Sequence, residues 1–155
     1  MFPDVWRTTS ISLGRTSNKS WTFEIWKNTL SDDHPYFAKV YLLLGRIYNE
    51  KGEPKKAESH LNKALKIEYK KLSGRKYYIA ETKCELGKSY FLQKKYNKSK
   101  SILLKNFDIL KDKLGEKNIQ TKYAAKLIAK LYLKLEEPEK AKKYNELISN
   151  TVFSN

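Results

Sequence analysis

The chain has 155 residues, a mass of 18.2 kDa and 40% hydrophobic residues, enough for one domain with a buried core. Lys and Arg number 32 against 17 Asp and Glu, a net charge of +15, and because the only arginines are Arg7, Arg15, Arg46 and Arg75 the excess is lysine. No apolar run reaches the length of a membrane span, and the single Cys84 excludes an intrachain disulfide framework and fits a reducing compartment, so a cytoplasmic location is expected.

Residues 1–20 show no helical periodicity. Arg7, Arg15 and Lys19 among Ser and Thr, with Asp4 the one acid, read as an irregular or disordered leader. From Trp21 the pattern turns helical, and a helix near 21–30 carrying Trp21, Phe23 and Trp26 is expected to cover the open face of the helices after it. Asp32, Asp33 and Pro35 are helix-start residues. Phe37, Val40, Tyr41, Leu44, Ile47 and Tyr48 then fall at three- and four-residue spacing, which predicts a helix over 35–50. Lys51-Gly52-Glu53-Pro54 breaks it. A second helix is predicted over 54–72, with Ala57, Leu61, Ala64, Leu65, Ile67 and Leu72 as its buried stripe. The same alternation predicts helices over 77–93, 96–113, 119–135 and 138–149, with 151–155 a frayed tail.

These helices form an internal repeat. Leu44-Gly45 with Tyr48 recurs as Leu86-Gly87 with Tyr90 and as Ile128-Ala129 with Tyr132, an offset of 42 residues each time. Lys56-Ala57, Lys98-Ser99 and Lys140-Ala141 keep the step, as do Leu61, Leu103 and Asn145. The small residues 45, 87 and 129 predict a close approach of the paired helix. Helix pairs that recur in one register predict an all-α solenoid of about three repeats, near 35–72, 77–113 and 119–150, preceded by a half-repeat helix. Asn145 and Ser149 make the last helix polar, as a terminal unit requires.

On these residues the chain over about 21–150 resembles the tetratricopeptide repeat family, in the 42-residue variety of kinesin light chains. Asp33-His34-Pro35 is similar to the Asp-His-Pro that opens repeats of that variety; Arg75-Lys76-Tyr77 and Lys117-Asn118-Ile119 depart from it. The resemblance implies that the first helix of each repeat lines a concave groove. It places Arg46, Lys88 and Lys130 at one inward position, with Lys39, Lys126 and Lys134 on the same side and Phe91, Tyr123 and Leu133 among them. Neither of two known capture patterns of the family is present. Leu42, Arg46, Glu85, Tyr123 and Leu127 stand where the chaperone-tail carboxylate clamp has its amide and basic residues, and Leu42-Leu43, Cys84-Glu85 and Lys126-Leu127 replace the paired asparagines of kinesin light chains.

No enzyme signature accompanies the repeat. His34 and His60 have no second His or Cys at metal-ligand spacing, and no glycine-rich phosphate loop occurs, so no cofactor is expected. His60 beside Ser59 has poor geometry for a Ser–His pair, and Cys84 reads as a small apolar filler although Lys83 and Lys88 stand near it. The expected function is a non-catalytic protein-interaction scaffold. Its groove, with Lys39, Arg46, Lys88, Phe91, Tyr123, Lys126, Lys130 and Lys134 as partner-binding residues, is expected to favour an acidic peptide or protein segment. The competing readings are nucleic-acid (RNA) binding through the basic surface, self-association through the N-terminal half-repeat, and a regulatory fragment of a bacterial serine/threonine kinase-type protein; no membrane partner is expected.

Overall fold

The computed structural model describes residues 33–149. They form α1 (Pro35–Glu50), α2 (Pro54–Lys71), α3 (Lys76–Leu92), α4 (Tyr96–Leu114), α5 (Ile119–Lys134) and α6 (Pro138–Ser149), with no strand among the described residues. Six of the expected helices are therefore present, each within about two residues of its predicted ends. The leader at 1–20, the helix near 21–30 and the tail at 151–155 lie outside the described residues. No helix among those described is long and apolar enough to cross a membrane.

Helices α1, α2 and α5 start for local reasons. Pro35 and Pro54 open α1 and α2 at the first-turn position, where a missing N–H costs nothing. His34 caps α1, its Nδ1 accepting from the Tyr36 N–H at 3.2 Å, and Asn118 caps α5, its Oδ1 accepting from the Gln120 N–H at 2.9 Å. Residues 34 and 118 are two repeats apart, so the cap survives although the residue has changed. Arg75, at the start of α3, makes no side-chain cap bond.

The turn inside each repeat is one motif used three times. The N–H groups of Glu53, Lys95 and Glu137 bond to the carbonyls of Tyr48, Tyr90 and Tyr132, each at 2.9 Å. One residue earlier, the N–H groups of Gly52, Lys94 and Glu136 bond to Asn49, Phe91 and Leu133. This is the paired bonding of a Schellman turn, which requires a left-handed residue after the helix. Gly52, Lys94 and Glu136 supply it at φ 73, 61 and 59, and only the first is glycine.

Packing within a repeat depends on a leucine seated over a residue without a Cβ. A Cβ on Gly45 would stand 2.5 Å from Leu61 Cδ2, and one on Gly87 2.7 Å from Leu103 Cδ2. Both leucines are fully buried. In the third repeat Asn145, in the leucine register, is exposed, and Ala129 can carry its methyl group. The repeat tyrosine packs on the second helix: Tyr48 stacks on His60 with centroids 5.2 Å apart, and Tyr132 on Tyr144 at 5.9 Å.

Across repeats, α1 touches α3 and α3 touches α5, but α2 does not reach α4, nor α4 α6. The first helices therefore lie on the inner side of the curve and the second helices splay apart outside. Gly87→Leu is expected to overpack the α3–α4 crossing and cost about 1–3 kcal/mol in urea unfolding. An unchanged midpoint would mean that this crossing is not tight.

Candidate functional site

The inner faces of α1, α3 and α5 enclose two adjoining cavities. The first, about 320 Å³, is lined by Arg46 and Glu50 of α1, Glu81, Cys84 and Glu85 of α3, and Tyr123 of α5, with Leu110, Ile119 and Gln120 at its edge. The second, about 500 Å³, is lined by Asn49, Glu50, Lys88, Leu92, Tyr123, Lys126, Leu127 and Lys130. Glu50 and Tyr123 belong to both, so the two cavities form one groove.

The stacking of α1, α3 and α5 brings Arg46, Lys88, Tyr123, Lys126 and Lys130 together along it. Their chemistry differs from that of a uniform basic ladder. Arg46 donates from Nε to Glu85 Oε1 at 2.9 Å and from Nη2 to Glu81 Oε1 at 2.7 Å. Lys88 is ion-paired with Glu50. The Lys88 hydrogen bond and charge, with a smaller contribution from Lys130, hold the Glu50 carboxyl below its ordinary range. Lys126 and Lys130 are exposed and make no ion pair among the described residues. Burial, then the neighbouring Glu85, pushes the Tyr123 phenol up, so it stays a neutral hydrogen-bonding group. The groove thus runs from an acidic stretch around Glu81 and Glu85 to a basic one around Lys126 and Lys130.

The remaining expected site residues lie elsewhere. Lys39 is exposed over the Tyr78 ring, 5.9 Å from its centroid, in a separate cavity with His34 and Arg75. Phe91 is half-buried against Tyr96, their centroids 5.8 Å apart, and Lys134 is exposed outside both groove cavities.

Glu50 and Glu81 were not among the residues expected from sequence, and Glu85 was noted only as a departure from the clamp. The available signal is spacing. An acid 35 or 39 residues after an inward-facing Arg stands slightly less than one repeat along, on the adjoining first helix. The contact continues inward: Asn49 Nδ2 donates to the Glu85 carbonyl at 3.1 Å, and Ser89 Oγ donates to Asn49 Oδ1 at 2.9 Å. One repeat further on, the positions of Glu81, Glu85, Ser89 and Asn49 are held by Tyr123, Leu127, Leu131 and Phe91. The joint between the first two repeats is therefore polar and hydrogen-bonded, and the next is apolar.

Neither His60 nor Cys84 is arranged for chemistry. His60 sits between Tyr41 and Tyr48, and burial, then Lys63, lowers its pKa and favours the neutral ring. Cys84 is fully buried; burial, then Glu85 and Glu81, pushes the thiol up and keeps it protonated. Among the described residues no group of three or more His, Cys, Asp or Glu is placed to hold a metal ion.

Helix pairs of this geometry, stacked with first helices inward, define the tetratricopeptide-repeat class. A tetratricopeptide repeat family model matches residues 22–68. The TPR domain of Arabidopsis FLU is similar at 22% identity and TM-score 0.63, over 77% of this chain and 98% of that one. Two structures of the nearly identical TPR-like repeats of a Podosopora anserina putative kinesin light chain are similar at 18% identity, one of them a point variant. Their TM-scores are 0.63 for the variant and 0.60 for the other, over 85% of this chain and 62% and 63% of theirs, so this chain spans less than two thirds of the fungal one. No curated protein matches the sequence. Residues 22–68 thus match the tetratricopeptide repeat model, and the chain is similar in fold to repeats of the kinesin-light-chain type.

Buried carboxylates generate two predictions. Glu68 of α2 is buried, and its Oε1 accepts from Thr82 Oγ1 of α3 at 2.8 Å. Burial, aided by the charge of Glu81 and only partly offset by that bond, raises its pKa from 4.5 to about 7. Between those values the folded chain holds a proton that the unfolded chain has released, so stability falls as pH rises through this window. The loss is on the order of 2 kcal/mol between about pH 5 and pH 8. Lysine-paired carboxylates such as Glu50 and Glu137 titrate below it. Urea unfolding of Glu68→Gln should lack the slope.

Arg46→Ala removes the cation from the buried Glu85 and is expected to cost about 3 kcal/mol. Arg46→Leu with Glu85→Leu, which puts at 85 the leucine that Leu127 supplies one repeat on and removes the cation with the acid, should recover most of that loss. A double variant as unstable as Arg46→Ala would show that the uncompensated charge is not the cause.

Proposed function

We propose that the chain is a non-catalytic protein-interaction scaffold whose inner groove takes an acidic peptide segment at its α5 end. The observation that carries this reading is a pair of exposed cations, Lys126 and Lys130, unpaired among the described residues. They stand on one wall of a cavity that also offers the apolar surface of Leu92, Tyr123 and Leu127. Apolar contact supplies area, and the lysines attract and orient an acidic chain. Arg46 and Lys88 enter differently. Their charges are engaged by Glu81, Glu85 and Glu50, so they build the wall and add little attraction. The tetratricopeptide fold supports a protein partner in general terms.

The test compares Lys126→Glu/Lys130→Glu with Lys55→Glu/Lys142→Glu. Both pairs make the same change in net charge, and Lys55 and Lys142 are exposed on the outer helices α2 and α6. The probes are a fluorescent peptide of Glu, Leu and Tyr and a single-stranded RNA oligonucleotide. The groove pair should weaken the peptide about tenfold more than the outer pair does, with added salt narrowing the gap. Equal weakening by both pairs would reject the groove, and tighter, steeply salt-dependent binding of the RNA would favour the nucleic-acid reading.

A further inference from the structure

The first groove cavity carries more acid than its cations match. One guanidinium, that of Arg46, serves two carboxylates, those of Glu81 and Glu85. Glu50 is matched by Lys88, and the Tyr123 phenol stays neutral. The end of α1 and the start of α5 both reach the cavity, and their opposite dipole charges offset each other. Among the described residues of the cavity, one negative charge is therefore left over.

A second observation shows where that charge is unsatisfied. Glu85 lines the cavity and is 1% exposed, and its Oε2 is buried with no hydrogen-bond donor among the described residues. The Tyr123 phenol stands near Glu85 without reaching hydrogen-bond geometry on that oxygen. A buried carboxylate oxygen without a donor is costly unless an opposite charge stands close. Water does not screen it, so its field acts strongly on a group placed in the cavity. Glu81 and Glu50 supply the oxygens that a ligand can touch, their side chains being 16% and 75% exposed. Ile119, 75% exposed at the cavity edge, adds apolar surface beside the Tyr123 ring. Acid behind and apolar surface at the rim suit the long stem and compact charged head of a lysine. At about 320 Å³ the cavity is at the small end of ligand sites, sized for one side chain.

We propose that this cavity is a site for a primary ammonium group on an alkyl stem, taken up as a lysine side chain of the segment bound in the groove. The ammonium head sits against Glu81 and Glu50 with Glu85 behind it, and the methylenes lie on Ile119 and Tyr123. The groove then reads charge at both ends, acids of the partner at Lys126 and Lys130 and a lysine here. That the occupant is a peptide side chain rests on the proposed peptide groove, whereas the site itself is tested with no peptide present.

The full chain is titrated with n-butylammonium chloride, the lysine stem and head alone, and followed by amide proton–nitrogen NMR. Saturable shifts are expected at the backbone amides around Glu81, Glu85, Gln120 and Tyr123, with a Kd on the order of millimolar for so small a ligand. Sodium chloride at equal concentration should not reproduce them. n-Butanol, which has the stem without the charge, should bind at least about tenfold more weakly. Glu81→Gln and Glu85→Gln each leave one carboxylate for one guanidinium, and each should weaken butylammonium about tenfold. Glu81→Gln keeps the test decisive if Glu85→Gln loosens the fold, because its carboxylate is the more exposed of the two. In a peptide arm, a lysine added at one end or the other of the peptide of Glu, Leu and Tyr should raise its affinity about tenfold over Nε-acetyl-lysine at the same place. No saturable shift up to about 50 mM, equal binding of butanol, shifts that avoid these amides, or binding indifferent to Glu81→Gln would each overturn the site. Equal binding of the lysine and acetyl-lysine peptides would overturn the lysine assignment. Failure of every peptide to bind would reject the peptide groove, and the butylammonium titration would still decide the site.

Discussion

The fold depends on one close approach. In the first two repeats the helices come together where the first offers bare backbone to a leucine of the second, as Gly45 does for Leu61 and Gly87 for Leu103. That contact fixes the depth of the crossing, and the Schellman turn just beyond it fixes the angle at which the chain returns. Lys94 and Glu136 hold the same left-handed turn as Gly52 despite the strain a side chain carries there, which shows how firmly the helix pair imposes the turn on the sequence. Where the third repeat exchanges leucine for Asn145, it also exchanges glycine for Ala129. The two positions change together because they are two sides of one contact.

Stacking obeys a second, looser rule. Any pair of surfaces that satisfies its buried groups can join one repeat to the next, and this chain uses two kinds. Arg46, Asn49, Glu81, Glu85 and Ser89 form a hydrogen-bonded joint in which a buried carboxylate is matched by a guanidinium and a carboxamide bridges two helices. Lys88 holds the Arg46 position of the next joint, and Phe91, Tyr123, Leu127 and Leu131 make the other four largely apolar. The polar joint specifies geometry, because each of its bonds is directional and a shifted stack would strand Glu85. The apolar joint tolerates small adjustments, since dispersion contacts can re-form after a slight slide.

This choice of joints decides the electrostatics of the groove. In a chain of net charge +15, three glutamates still converge on its first cavity, because the polar joint needs acids there to satisfy Arg46 and Lys88. Net charge therefore predicts the sign of the outer surface better than that of the inner one. The cations left unengaged among the described groove residues gather on α5, beside the apolar joint, which needs no counter-charge of its own.

The sequence alone determined the helices from 35 to 149, their pairing and the solenoid class, because each rests on short-range physics. Apolar spacing sets a helix face, a proline or glycine ends it, and a 42-residue offset can be read from the letters. The expectation that Arg46, Lys88, Tyr123, Lys126 and Lys130 share one side came from the family resemblance, since they lie on three different helices. Only the tertiary structure decided which of these charges are engaged. The pairing of Arg46 with Glu81 and Glu85 joins residues 35 and 39 positions apart, across a stacking angle that no local pattern encodes. The buried state of Glu68 has the same origin. Glu68 resembles any surface glutamate in sequence until the neighbouring helix is seen to cover it.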